Sequence, residues 1–187
     1  TNKQVPANLR NNVAWSSWVR AILIADEAEA KNLAVIASPL NKAKSKLFAS
    51  YLAAATPEER KFAAALLMLH FSSAEPNATS GQLMDDDYGD SSGWWWGSSP
   101  VRKPTQNNSD SDSDSTSDDE PFDPLFLTAA QKSQAAAQLA KLAKVETAPN
   151  YLAKIVLAYA QKHPADPRVP EALHYGVKCT RYGATDD

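Results

Sequence analysis

The amino-acid sequence predicts an all-α protein of antiparallel helical hairpins, interrupted by one long acidic insertion that carries a run of tryptophans. Three observations predict this fold. Apolar residues recur at steps of three and four along most of the chain, as in amphipathic helices, and several of these segments begin with a helix-capping sequence. Residues 72–127 are instead rich in Ser, Asp, Asn, Gly and Pro. We therefore divide the chain into helical residues 8–71, the insertion 72–127 and helical residues 128–184.

Length and composition bound the class of protein. A chain of 187 residues can form one domain with a substantial core or a short stack of repeats. No apolar run approaches the roughly 18 residues of a membrane-spanning helix, so we predict no membrane span. The chain begins at Thr1 rather than at Met, from which we expect a processed product or a fragment.

Charge is divided unevenly along the chain. The net charge is −3, but residues 85–120 contain ten acids against two bases, a net of −8 that leaves +5 for the rest. The positive charge is spread over several helices, and the acidic insertion would repel phosphate. We therefore predict no nucleic-acid partner.

The first two helices are predicted from a shared aromatic face and a cap. In residues 8–26 the apolar positions have helical spacing, and Trp15 and Trp18, three residues apart, share one face. Asp26 and Glu29 then have the spacing of a capping box, and the helix that they open is expected to stop at Pro39. Its apolar positions are Leu33, Val35 and Ile36.

The third and fourth helices are predicted to complete two hairpins. Residues 39–55 place apolar side chains on one stripe, with three lysines pointing elsewhere. Thr56 and Pro57 then cap a fourth helix that is apolar nearly all round and should be central. Four helices with short links imply two antiparallel hairpins. The stripe of the third helix comprises Leu40, Ala43, Leu47, Phe48, Tyr51 and Leu52, and its lysines are Lys42, Lys44 and Lys46.

The C-terminal part predicts further helices. Thr128 and Gln131 form a second capping box, and the Ala-rich helix after it favours close packing. Residues 151–162 form the next helix, with His163 at its C-terminus, where a histidine suits the helix dipole. A turn built on Pro164, Asp166, Pro167 and Pro170 leads into the last helix, where the single cysteine, Cys179, is expected to be a small buried hydrophobe.

The insertion contains the candidate binding residues. Residues 107–120 have too little apolar surface to offset the entropy of ordering, so we expect the insertion to be partly disordered. The candidates for partner binding are Trp94, Trp95, Trp96 and Tyr88. Two interpretations of the three tryptophans stay open: they pin the insertion onto the helices, or they anchor a protein partner or a glycan.

No residues are predicted to be catalytic or to bind a metal or cofactor. The chain has no nucleophile-elbow, phosphate-loop, dinucleotide-binding or haem-attachment motif. Glu171 and His174 have the E-x-x-H spacing of di-iron bundles, but no second copy exists. The alternating Asp110, Asp112 and Asp114 begin like a calcium loop that lacks its glycine and its final glutamate.

One segment carries a resemblance to a known family. The string HPADPRVPEALHYGV resembles the hairpin turn of tetratricopeptide-like repeat proteins of the bacterial envelope. The wider segment 149–183, together with TPEERKFAAALLMLHF and DDDYGDSSGWWW, is similar to the C-terminal part of a family of uncharacterised bacterial proteins built from such helices. That family pattern has cysteines where this chain has Gly97 and Ala184, and it continues past Thr185 into a further helix. If those cysteines pair in the family, this chain lacks both partners.

These observations favour a non-catalytic, helical-repeat module or accessory subunit that binds a protein partner or a larger assembly. The resemblance implies a periplasmic, cell-envelope or extracellular location. The alternative function is a carbohydrate-active or hydrolytic subunit, in which the tryptophans line a glycan cleft and two carboxylates from residues 85–90 act as acid and base.

Overall fold

The computed structural model describes residues 7–71 and 127–182, and their regular structure is entirely helical. The all-α class is therefore confirmed for this part of the chain. The helices are α1 (Ala7–Leu23), α2 (Glu27–Leu40), α3 (Ser45–Ala53), α4 (Pro57–His70), α5 (Ala129–Leu142), α6 (Ala148–Lys162) and α7 (Val169–Tyr182), with a 3-10 turn at Lys42–Lys44. None of these seven is both long enough and apolar enough to cross a membrane.

Three helices begin at the caps that the sequence predicts. The Asp26 carboxylate accepts a hydrogen bond from the Glu29 N–H at 3.1 Å, and Thr56 Oγ1 accepts one from the Glu59 N–H at 3.1 Å. Thr128 and Gln131 form a complete capping box, because each side chain bonds the backbone of the other. These bonds satisfy N–H groups that a helix start leaves without an intrahelical acceptor.

The core of the first half is aromatic. Trp15 and Trp18 stack with ring centroids 5.3 Å apart, which confirms that they share a face of α1. Phe48 and Tyr51 of α3 meet Trp18 edge-on at 5.3 and 5.4 Å. Edge-to-face and offset-stacked pairs of this kind are the preferred aromatic geometries. They join α1 to α3.

Helix α4 is central, as predicted. Every residue from Phe62 to Leu69 is buried, so α4 is covered on all sides for two turns. It packs against α3 on one side and against α6 and α7 on the other, and α6 and α7 pack together across the turn between them. Helix α4 thereby joins the two halves of the chain.

The buried face of α2 differs from the prediction. Val35 and Ile36 are 61% and 46% exposed, whereas Ala30, Ala34 and Ala37 are buried. The alanines are spaced by four and three residues, and their small side chains let α2 pack closely on α1.

The end of α2 also differs, because Pro39 lies inside the helix rather than stopping it. A proline in a helix removes one backbone donor. In α2 the backbone carbonyl that loses its donor is that of the exposed Val35. Asn41 adds hydrogen bonds at the end of the helix. Its backbone N–H and its Nδ2 both donate to the Ala37 carbonyl, at 3.1 and 3.0 Å.

The beginning of the third helix and the packing of α5 are two further corrections. Helix α3 begins at Ser45, after the 3-10 turn, and Lys44 is buried instead of pointing away from the core. The Ala-rich helix α5 does not pack closely on the other described helices, and Leu142 is its only buried residue. In both places the sequence shows whether a residue is polar or apolar, but it does not show what surrounds that residue in the fold.

Candidate functional site

The residues predicted to bind a partner lie outside the part of the chain that the structure describes. Trp94, Trp95, Trp96 and Tyr88 all fall within residues 72–126, and so do the acidic residues 85–90 and 110–114. Their predicted roles, and the predicted disorder of residues 107–120, stay predictions. The described helices contain three clusters of charged and aromatic side chains.

The first cluster is built by the turn between α6 and α7. The Asp166 carboxylate accepts a hydrogen bond from the Arg168 backbone N–H at 2.9 Å, which closes the turn locally. The Arg168 guanidinium donates to both oxygens of the same carboxylate, with Nε 3.0 Å from Oδ1 and Nη2 2.6 Å from Oδ2. This is the bidentate geometry that makes arginine–carboxylate pairs strong.

The same arginine reaches three other helices. Arg168 Nη2 contacts Glu59 Oε1 of α4 at 3.1 Å, and Nη1 donates to Ser50 Oγ of α3 at 3.2 Å. On α6, Arg168 Nη2 donates to the Tyr159 hydroxyl at 3.2 Å, and that hydroxyl donates to Asp166 Oδ2 at 2.9 Å. The Asp166–Arg168 pair therefore ties the α6–α7 turn to the first half of the chain.

The electrostatics of this cluster follow from its hydrogen bonds. The bonds from Arg168 hold the pKa of Asp166 well below its usual range, and the same pairing raises the pKa of Arg168. Burial, followed by the hydrogen bond to Asp166, raises the pKa of Tyr159. All three groups are thereby kept in their ordinary charge states at neutral pH, which suits a structural role rather than proton transfer.

An aromatic stack lies directly beside these charges. The rings of Phe62 on α4 and Tyr159 on α6 are parallel within 7°, with centroids 3.9 Å apart. The Arg168 guanidinium carbon lies 5.4 Å from the centre of the Phe62 ring. The junction between the two halves thus combines an apolar stack with a charged network.

The second cluster surrounds Lys44. This residue is only 3% exposed, and its ammonium lies 4.6 Å from the centre of the Trp15 ring and 4.2 Å from that of Phe71. Its Nζ also donates to Asn41 Oδ1 at 3.5 Å. Cation–π contacts of this kind stabilise a desolvated cation, so Lys44 helps to hold α1, the 3-10 turn and the end of α4 together.

The third cluster joins the ends of α4 and α7. His70 Nε2 lies 3.2 Å from Glu171 Oε1 without forming a hydrogen bond, and the centres of the His70 and Tyr175 rings are 4.2 Å apart. Glu171, which has the E-x-x-H spacing with His174, therefore faces a histidine of another helix. Among the described residues no group of three or more His, Cys, Asp or Glu side chains could hold a metal ion.

Cys179 is buried and unpaired in α7, as predicted from its helical context. Burial raises the pKa of its thiol to about 12. Because the thiolate is the reactive form of cysteine, this side chain is suited to packing and not to nucleophilic chemistry.

Sequence reasoning missed the two residues that organise these clusters, Lys44 and Arg168. The turn sequence did contain a signal for Arg168, since an acid two residues before an arginine allows the local bond that Asp166 makes. No comparable local signal existed for Lys44, because Trp15 and Phe71 lie far from it in the sequence.

These observations define the described part of the chain as a set of packed α-helices joined to one another by buried and half-buried charges. Comparison with protein-family models, with curated proteins and with solved structures finds no match. The tetratricopeptide-like resemblance stays a prediction.

Proposed function

We propose that this protein is a non-catalytic helical-repeat module, or an accessory subunit, that binds a protein partner in a bacterial envelope or secreted assembly. The observation that carries the proposal is the order of the helix contacts. Helix α1 packs on α2, α2 on α3 and α3 on α4, and α4 in turn packs on α6 and α7. Helices stacked mainly on their neighbours form the extended surfaces that repeat proteins use for binding.

The exposed apolar side chains of α2 support a binding surface on the helices. Val35 and Ile36 are adjacent and largely exposed on a helix whose opposite face is buried against α1. Isolated exposed apolar residues are common on soluble proteins, so this pair supports the proposal only together with the stacked arrangement. The tryptophans at positions 94–96 supply a second candidate surface.

The chemistry of the described clusters also favours a binding role over catalysis. Arg168 and Asp166 are engaged with each other and with neighbouring helices, and Cys179 is protonated and buried. Groups that act as acids, bases or nucleophiles need pKa values close to the working pH. The pKa values of Asp166, Arg168 and Cys179 are all shifted away from the working pH.

The experiment is a pull-down of the tagged full chain from its native source, followed by mass spectrometry. Two variants separate the candidate surfaces: Trp94→Ala with Trp95→Ala and Trp96→Ala, and Val35→Ser with Ile36→Ser. The exposed Lys61→Ala serves as the control. We expect to recover a partner protein with the Lys61→Ala control but not with one of the two surface variants. The purified partner should then bind the purified protein directly.

A monomer that recovers no partner would contradict the proposal. So would a set of proteins that neither surface variant changes. Fractionation of the native host tests the location separately, with recovery from the periplasm, envelope or medium as the expected result.

A further inference from the structure

Helix α4 offers one continuous face to the C-terminal helices, and contacts occur along its whole length. In its first turn, Glu58 pairs with Lys162 at 2.8 Å and Glu59 with Arg168 at 3.1 Å. Phe62 in the second turn stacks on Tyr159.

At the other end of α4, its last residue, His70, lies against Glu171. The contacts therefore fix both the position and the direction of the α6–α7 pair on α4. A partner of α4 that lacked the matching basic groups, aromatic ring and carboxylate of the α6–α7 pair would not be held in the same register.

Burial shows that this face is also the main apolar contact between the halves. All eight residues from Phe62 to Leu69 are buried, and a helix covered on every side needs partners on more than one side. Helix α3 covers one part, and α6 and α7 cover another, with Leu152, Val156 and Val169 buried in the same core. Separating the halves would expose this apolar surface to water, which is unfavourable.

We propose that this face of α4 and the α6–α7 pair form a self-sufficient interface, so that the two halves stay bound when the chain between them is cut. The partner that fits α4 is thus the C-terminal pair of helices of this same chain, and the peptide connection through residues 72–126 is not required to hold it. It follows that the insertion can be processed or exchanged without loss of the helical array. The proposal stands on these contacts and is independent of the proposed function.

The experiment uses the full chain with a site-specific protease sequence in place of residues 107–113. After complete cleavage, checked on a denaturing gel, the two fragments are applied together to a gel-filtration column at about 10 µM, where co-elution requires a dissociation constant of about 1 µM or below. We expect one peak with the mass of both fragments. Two separate peaks would overturn the proposal.

Temperature gives a second measurement that does not depend on chromatography. A non-covalent complex gains stability with concentration, whereas a single chain does not. We expect the unfolding temperature of the cut protein to rise with concentration and that of the uncut protein to stay constant. A cut protein whose unfolding temperature is independent of concentration would contradict association of the fragments.

Substitutions test whether the named contacts carry the association. Arg168→Ala should weaken the binding of the fragments at least about tenfold, because it removes the contacts of this side chain with Glu59, Ser50 and Phe62 in the other fragment. Lys61→Ala, an exposed neighbour on α4, should change it by less than about twofold. Arg168→Lys keeps the charge but not the fork geometry and should be intermediate. Circular dichroism of the uncut variants confirms that each is folded, and equal binding by all three would refute the assignment.

Discussion

The Asp166–Arg168 pair gives the sharpest test of the network that holds Arg168 in place against the first half of the chain. We consider Asp166→Asn, which keeps the size of the side chain. The variant retains an oxygen that can accept from the Arg168 N–H and Nε. It replaces Oδ2 by an amide, so the bonds from Arg168 Nη2 at 2.6 Å and from the Tyr159 hydroxyl at 2.9 Å are lost. The charge that balances Arg168 within this turn is lost as well.

The expected loss of stability follows from these contacts. A hydrogen bond to a charged group contributes about 1.5 to 3 kcal/mol, and removing one partner of a buried ion pair costs about 3 to 5 kcal/mol. The side chains of Asp166 and Arg168 are 13% and 26% exposed, so we expect the lower end, about 3 kcal/mol. For a chain of this length that lowers the unfolding temperature by about 6 to 12 °C.

The pH dependence provides a second, independent signature. Arg168 holds the pKa of Asp166 below its usual range, so the stability that the carboxylate contributes is fully present above the unfolded value of about 3.9. It is lost as the pH falls below that value towards the folded pKa. The difference between wild type and Asp166→Asn should therefore shrink as the pH is lowered from about 5 to about 2.

The assay is urea unfolding followed by circular dichroism at each pH. The matched control is Glu146→Gln, which breaks the ion pair with Lys154 at 2.6 Å. Both of those side chains are largely exposed, so this pair should contribute less than about 1 kcal/mol despite its short distance. Equal effects of the two substitutions at neutral pH would refute the reasoning, and so would an unchanged difference at low pH.

Three further predictions concern the core. Phe62→Ala should cost about 3 to 5 kcal/mol of unfolding free energy, because it removes a fully buried stacked ring, whereas Leu157→Ala, on an exposed residue, should cost less than about 0.5 kcal/mol. Lys44→Ala should destabilise the fold by about 2 kcal/mol, whereas Lys42→Ala should hardly change its stability. Chemical unfolding measures both, and equal effects would contradict the burial of Lys44. Cys179 should resist a thiol reagent in the folded protein and react once urea unfolds it, and rapid labelling of the native state would contradict its burial.

Local signals predicted the helix starts well. The caps at Asp26, Thr56 and Thr128 depend on side chains that bond backbone groups only three residues away. Such bonds form within one turn, whatever the rest of the chain does. For the same reason the shared face of Trp15 and Trp18 was visible from their spacing alone.

Burial was harder to predict where it depends on a partner. In α2 the bulky Val35 and Ile36 are exposed and the alanines are buried, because close contact with α1 leaves room only for small side chains. In α5 the alanines were expected to pack closely, but no other described helix lies against them along their length. The sequence shows which residues are apolar but not how far away the next helix is.

In the candidate site, too, local contacts were predictable from the sequence and contacts between distant residues were not. The turn around Asp166 was expected from its prolines, yet its main role depends on Glu59, 109 residues before Arg168. The buried Lys44 depends on rings contributed by α1 and by the end of α4. Contacts between residues so far apart follow from how helices pack, and one sequence carries no direct record of them.

By itself the sequence determined the all-α class of residues 7–71 and 127–182, the capped starts of three helices, the central position of α4 and the burial of Cys179. Each of these follows from periodicity or from bonds within one helical turn. Only the tertiary structure decided which face of α2 is buried, that Lys44 lies between aromatic rings, and that Arg168 joins the two halves of the chain. The physical reason is that a side chain's surroundings are set by the helices packed against it, which lie far from it in the sequence.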